Sequence, residues 1–149
     1  MAKGNRNTDV DIIAAAKLSD LAMLRKGLAQ GADIERRDCD GMTALMCAAE
    51  AASAECLTFL IQAGGCIDSA DREGSTPLIL AAQSCCEACL GLLVEAGADL
   101  RVMDKHGRDV VYWANRRRLP EVARMIEAIR EARAQRGELE AGVQQTSFP

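Results

Sequence analysis

Three groups of side chains in this 149-residue chain are of types that do chemistry. Cys85, Cys86 and Cys89 lie close together, and neighbouring thiols can hold a metal ion or exchange a disulfide. His106 is the only histidine, the residue type most often used as a general base. Arg116, Arg117 and Arg118, in "NRRRLP", form the one basic run. A tetrahedral metal site needs about four ligands, and His106 sits in a different turn from the cysteines. No Ser/His/Asp set, phosphate-binding loop or convergent carboxylate pair accompanies them. The expectation is therefore no catalytic residue, no cofactor and no metal ligand. A metal- or redox-active cysteine protein is the reading this sets aside. The arginines read first as a solvated helix end, where cations suit the helix dipole, and second as a contact for an acidic partner.

Composition narrows the setting. Apolar residues make up 49% of the chain, but only two Phe, one Trp and one Tyr are present. The core must be built from Ala, Leu, Ile, Val, Met and Cys, and such small residues favour thin layers packed closely. A net charge of −4 speaks against nucleic acid. No apolar run approaches the roughly 20 residues of a membrane span, and "MAKGNRNTDV" lacks the apolar stretch of a secretion signal. Seven cysteines, an odd number, suit reduced thiols in the cytoplasm or the nucleus.

The elements that must carry these residues are written in a repeat. "DCDGMTALMCAA" begins at Asp38, "DREGSTPLILAA" at Asp71 and "DKHGRDVVYWAN" at Asp104. The period is 33, shared by Gly41, Gly74 and Gly107 and by Gly31, Gly64 and Gly97. Asp-x-x-Gly is turn chemistry. Thr43, Thr76 and Asp109 are placed to cap helices, with Pro77 at a first helical position. The pairs Ala15-Ala16, Ala48-Ala49 and Ala81-Ala82 permit close packing. A second apolar stretch of helical spacing follows, ended by a glycine with positive φ. Each copy is thus a turn and two short helices, and such a pair hides its apolar face only against the next pair. In this register Cys89 shares a core slot with Met23, Cys56 and Val122, and Cys47 shares one with Leu80 and Trp113. The cysteines then read as small core residues.

"GSTPLILAA" and "LLVEAGADL" resemble the ankyrin repeat over about residues 9 to 130. The resemblance implies an all-α solenoid of stacked helix-turn-helix pairs joined by turn or hairpin-like loops. It also implies a non-catalytic module for protein–protein interaction. The expected repeats are about 9–37, 38–70, 71–103 and 104–136, with flexible ends at 1–8 and 137–149. The first and last repeats are read as caps, the first with Lys17, Arg25 and Lys26 on a wetted outer face. The last is read with a helix from Pro120 to about Gln135, striped by Val122, Met125, Ile126 and Ile129. Two departures stand out. The family's histidine after Pro-Leu is replaced by Met46, Ile79 and Tyr112. The glycine between the helices is replaced by Ser19, Ala52, Cys85 and Arg118, where a positive φ without glycine costs about 1 kcal/mol.

Partners of the family meet the turn tips and the first helices, the concave side. By register these are Cys39, Asp40, Met42, Glu50 and Ala51 in the second unit. The third offers Arg72, Glu73, Ser75, Gln83 and Ser84. The fourth offers Lys105, His106, Arg108, Arg116 and Arg117. Charge along this series runs from acidic through mixed to basic, which points to a protein partner of bipolar charge, held by a monomeric adaptor or regulator. A fixed subunit of a larger assembly is the alternative.

Overall fold

The Asp-x-x-Gly phrase closes on itself in the same way three times. In the computed structural model, which describes the backbone of residues 10–146 and side chains through residue 137, the Asp38 carboxylate accepts the N–H groups of Asp40 and Met42, each at 2.9 Å. Asp71 does the same for Glu73 and Ser75, and Asp104 for His106 and Arg108. Backbone bonds tie the tips together: Arg72 N–H donates to the Asp40 carbonyl at 3.1 Å, and Lys105 N–H to the Glu73 carbonyl at 2.9 Å. Gly74 must be glycine on two counts. Its φ is +78°, and a Cβ there would lie 2.9 Å from the Lys105 backbone nitrogen.

Each tip launches a helix pair. The described residues contain eight helices: α1 (Ile12–Lys17), α2 (Leu21–Ala29), α3 (Ala44–Glu50), α4 (Ala54–Gln62), α5 (Pro77–Gln83), α6 (Glu87–Glu95), α7 (Val110–Arg116) and α8 (Pro120–Thr146). Thr43, Thr76 and Asp109 cap α3, α5 and α7 as their position after the turn implies, and Pro77 opens α5. Asp11 caps α1. The inner helices α1, α3, α5 and α7 stack in sequence, while α2, α4 and α6 line up behind them. This is the all-α solenoid of stacked pairs that the repeat requires.

The core explains the small residues. Ala15, Ala16, Ala48, Ala49, Ala81 and Ala82 are all fully buried, so neighbouring inner helices meet at alanine, whose lack of bulk permits the short spacing. Met46 and Ile79, standing where the family has histidine, are buried apolar contacts. Leu57, Leu60, Leu90 and Leu93 fill the space between inner and outer rows. Burying one such side chain contributes about 1.5–3 kcal/mol. In α7 the second alanine becomes Asn115, which is exposed. Among the described residues no inner helix stacks beyond it, so a polar residue meets no packing partner there.

The four turns between paired helices carry the strain expected of them. Ser19, Ala52, Cys85 and Arg118 have φ between 56° and 61°, the left-handed region that glycine occupies at less cost. In the first three of these turns the next residue caps the outer helix, a role that no shared residue type announces. Asp20 accepts the Met23 N–H, Ser53 that of Cys56, and Cys86, through its sulfur, that of Cys89.

Several expectations need correction. Met23 shares the slot of buried Cys56 and Cys89 but is 43% exposed, because no earlier pair covers the described end of the stack. Met125 is likewise exposed, although Val122 and Ile126 of the same stripe are buried. Helix α8 runs to Thr146 rather than ending near Gln135. Arg25 is exposed as expected, but its guanidinium lies over the Phe59 ring, 5.2 Å from the centroid, joining α2 to α4. The expectation for residues 1–8 lies outside the described residues.

Candidate protein-binding surface

The turn tips of the second and third units and the C-terminal ends of α1 and α3 frame a cleft of about 280 Å³, lined by Lys17, Asp38, Asp40, Met42, Glu50, Asp71, Arg72 and Glu73. Five of these were expected on the concave side: Asp40, Met42, Glu50, Arg72 and Glu73. Five carboxylates face two cations here, so the cleft is acidic. Lys17 was assigned to an outer face, yet it donates to Asp38 at 3.1 Å. Its register, one period before Glu50, places it on the concave side. Asp38 and Asp71 were read only as turn residues, because their backbone role hides the second carboxylate oxygen.

Two expected surface residues are covered. Met42 is 6% exposed and Ser75 is 5% exposed. Both sit directly before the capping threonine, where the chain dives under the stacked tips. Cys39, Asp40, Glu50 and Ala51 are exposed in the second unit, as are Arg72 and Glu73 in the third, while Gln83 and Ser84 are half-buried. The Ser84 hydroxyl donates to the Ala49 carbonyl at 3.0 Å, a link between α5 and α3. Leu18, one period before Ala51, is 74% exposed and extends the same row with an apolar side chain.

Glu73, in the middle of the charge series, is paired with cations of the fourth unit, while Arg72 beside it has no ion-pair partner among the described residues. Lys105 Nζ lies 2.8 Å from Glu73, and His106 Nε2 lies 3.7 Å from its other oxygen. The Lys105 hydrogen bond leads in holding the Glu73 carboxyl below its ordinary value, against weak desolvation. Asp104 is buried, and burial alone would push its carboxyl up. The N–H groups of Arg108 and His106 and the Arg108 guanidinium outweigh that and hold it down. Asp38 follows the same pattern, with Met42 N–H and Lys17 prevailing over burial.

The ends of the series are different. Among the described residues Asp40 and Glu50 have no ion-pair partner, and neither do Arg116 and Arg117. Beside the arginines, Tyr112 and Trp113 pack edge to face with centroids 5.5 Å apart, and the Arg108 guanidinium lies 4.7 Å from the Trp113 ring centroid. Trp113 Nε1 is buried without a hydrogen-bond partner. The Tyr112 ring is exposed, and its hydroxyl makes no hydrogen bond among the described residues.

A larger hollow, about 620 Å³, opens between α8 and the loop after α6, lined by Asp99, Leu100, Arg101, Arg130, Arg133, Ala134 and Gly137. Its two α8 arginines are engaged by the fold. Arg130 donates to the Leu100 carbonyl and, at 2.8 Å, to Asp109. Arg133 donates to the carbonyls of Ala98 and Val94. These bonds tie α8 to the end of α6 and to the loop that follows it.

No group of three or more His, Cys, Asp or Glu that could hold a metal is found among the described residues, and no helix there is long and apolar enough to cross a membrane. No curated protein matches the chain. The family pattern described as ankyrin repeats, in three copies, matches residues 12–104, the stretch from α1 to the start of the third tip. A stack of capped helix pairs with that match carries its function on a surface, and the chain belongs to the ankyrin-repeat family as a non-catalytic protein–protein interaction module.

Proposed function

We propose that the chain is an adaptor or regulator that grips a single protein through its concave side. The unpaired acidic groups Asp40 and Glu50 and the unpaired basic groups Arg116 and Arg117 contact opposite ends of that partner. The observation that carries this reading is the internal pairing of Glu73 with Lys105 and His106. It removes Glu73, Lys105 and His106 from the free charge and leaves Asp40 and Glu50 open at one end and Arg116 and Arg117 at the other, with Arg72 between them. Such an arrangement sets orientation and rate of encounter more than raw affinity. Tyr112, exposed beside the arginines, supplies the aromatic contact typical of interface centres. The α7–α8 pair lies beyond the matched repeats, and in this reading it is a fourth, capping unit that completes 104–136. Free thiols throughout suit the cytoplasm or nucleus.

Affinity capture from native extract tests the reading. The wild type is expected to retain a partner that the double variant Arg116→Glu/Arg117→Glu releases. Unchanged capture removes the charge-graded interface.

One observation favours a second reading, a fixed subunit of a larger assembly. Helix α8, at 27 residues, is three times as long as the nine-residue outer helices α2, α4 and α6. Size-exclusion chromatography separates the two: a stable monomer supports the adaptor, and a chain that is stable only with a co-purified partner supports the subunit.

A further inference from the structure

In α4 and α6 the residue after the strained turn caps the helix, and the residue three positions on enters the core. The second unit fills these two slots with Ser53 and Cys56, and the third with Cys86 and Cys89. Capping geometry turns the first side chain back over the first turn to meet the N–H of the second residue, and in the third unit this brings two thiols together. Cys89 N–H donates to Cys86 Sγ at 3.2 Å, and the two sulfurs are 2.6 Å apart, against about 2.05 Å in a disulfide. Both are free thiols. Cys86 is half-buried and open to a reagent, whereas Cys89 is fully buried. Cys85 is exposed beside them on the strained turn, but the sulfur that meets Cys89 is that of Cys86.

We infer that Cys86 and Cys89 form a reversible dithiol–disulfide site at the head of α6, oxidised by low-molecular-weight disulfides such as oxidised glutathione. Cys86, as the thiolate, attacks one sulfur of the oxidant. The oxidant's S–S bond breaks, one small thiol leaves, and a mixed disulfide remains on Cys86. Cys89 then loses its proton to solvent and attacks the Cys86 sulfur, expelling the second small thiol. The protein dithiol gives up two electrons, and its two protons end on the two released thiols. The order follows from access: burial, reinforced by the Cys86 contact, pushes the Cys89 thiol up, so Cys89 is the resolving and not the attacking group. This site is a modification site on the interaction module and does not depend on which partner the concave face holds.

The test uses the full chain. Reduced protein is equilibrated with graded ratios of reduced to oxidised glutathione, quenched with an alkylating agent, digested and mapped by mass spectrometry. The expected result is a peptide in which Cys86 and Cys89 lose alkylation together, carry no glutathione and recover with dithiothreitol. The same is expected in Cys85→Ser. Cys86→Ser, which installs the residue found at Ser53, should abolish the cross-link, and Cys89→Ala should trap glutathione on Cys86. Far-UV circular dichroism of each variant establishes that the fold is kept. If the Cys85→Ser protein instead shows both thiols alkylated, or Cys86 stably glutathionylated, at every ratio that glutathionylates exposed Cys39, the proposal is overturned. A cross-link between Cys85 and Cys89 in the wild type overturns it as well.

Discussion

At the scale of single residues, backbone conformation accounts for the least conservative positions. Gly74 combines a positive φ with a backbone atom of the next tip in the path of any Cβ. Gly74→Ala is therefore expected to lower unfolding free energy by more than about 1 kcal/mol, read as a lower urea midpoint. Ala52 is the converse case, a side chain forced into the left-handed region with φ 57°. Relief of that strain, about 1–2 kcal/mol, exceeds the added unfolded-chain entropy of glycine. Ala52→Gly should raise stability by about 0.5–1 kcal/mol, or roughly 2 °C in the melting midpoint. A lower midpoint would show that the turn is not strained. The cysteines divide by burial. Cys47, whose thiol burial pushes up to about 12, should resist alkylation in the native chain even at pH 9, while exposed Cys39, Cys66 and Cys85 label readily. Rapid labelling of Cys47 would mean that α3 opens locally.

At the scale of elements, the join between α7 and α8 rests on Asp109. Its carboxylate caps α7 by accepting Tyr112 N–H at 2.8 Å and meets Arg130 of α8 at 2.8 Å. Asp109→Asn keeps an acceptor for the cap and loses the charge, whereas Asp109→Ala loses both. The alanine variant should be the less stable by about 1 kcal/mol, and equal losses in urea titrations would deny the cap a role. The inner helices were legible in the sequence because their turn, cap and alanine signals are local and recur every 33 residues. The caps of the outer helices were not, because Asp20, Ser53 and Cys86 share no residue type and only their geometry makes them equivalent. The burial of Met42 and Ser75 was also hidden, since it arises from tips stacking on one another. The extent of α8 past Gln135 had no apolar period to announce it. Its Glu, Ala, Arg and Gln residues are good helix formers, which is a weaker signal than a stripe.

At the scale of the whole molecule, the same carboxylates that form the tips make the stack acid-sensitive. Asp38 and Asp104 are held below the ordinary carboxylate value of about 3.9 in the folded chain. A depressed folded value stabilises the fold above the unfolded value, and this contribution is lost as pH falls through the folded one. The unfolding free energy should therefore hold steady at mildly acidic pH and drop below about pH 4, by less in Asp104→Asn than in the wild type. The solenoid was readable from the repeat, and the interaction role followed from the resemblance to the ankyrin family. The distribution of free charge was not readable, because the pairing of Glu73 with Lys105 across two tips depends on how those tips stack. The most direct test of the concave face as the gripping surface is partner capture by the wild type and by a four-site reversal, Asp40→Lys/Glu50→Lys/Arg116→Glu/Arg117→Glu, matched for circular dichroism and melting midpoint. The account predicts that the captured protein is lost from the reversed chain. Retention of the same protein at the same yield would contradict it.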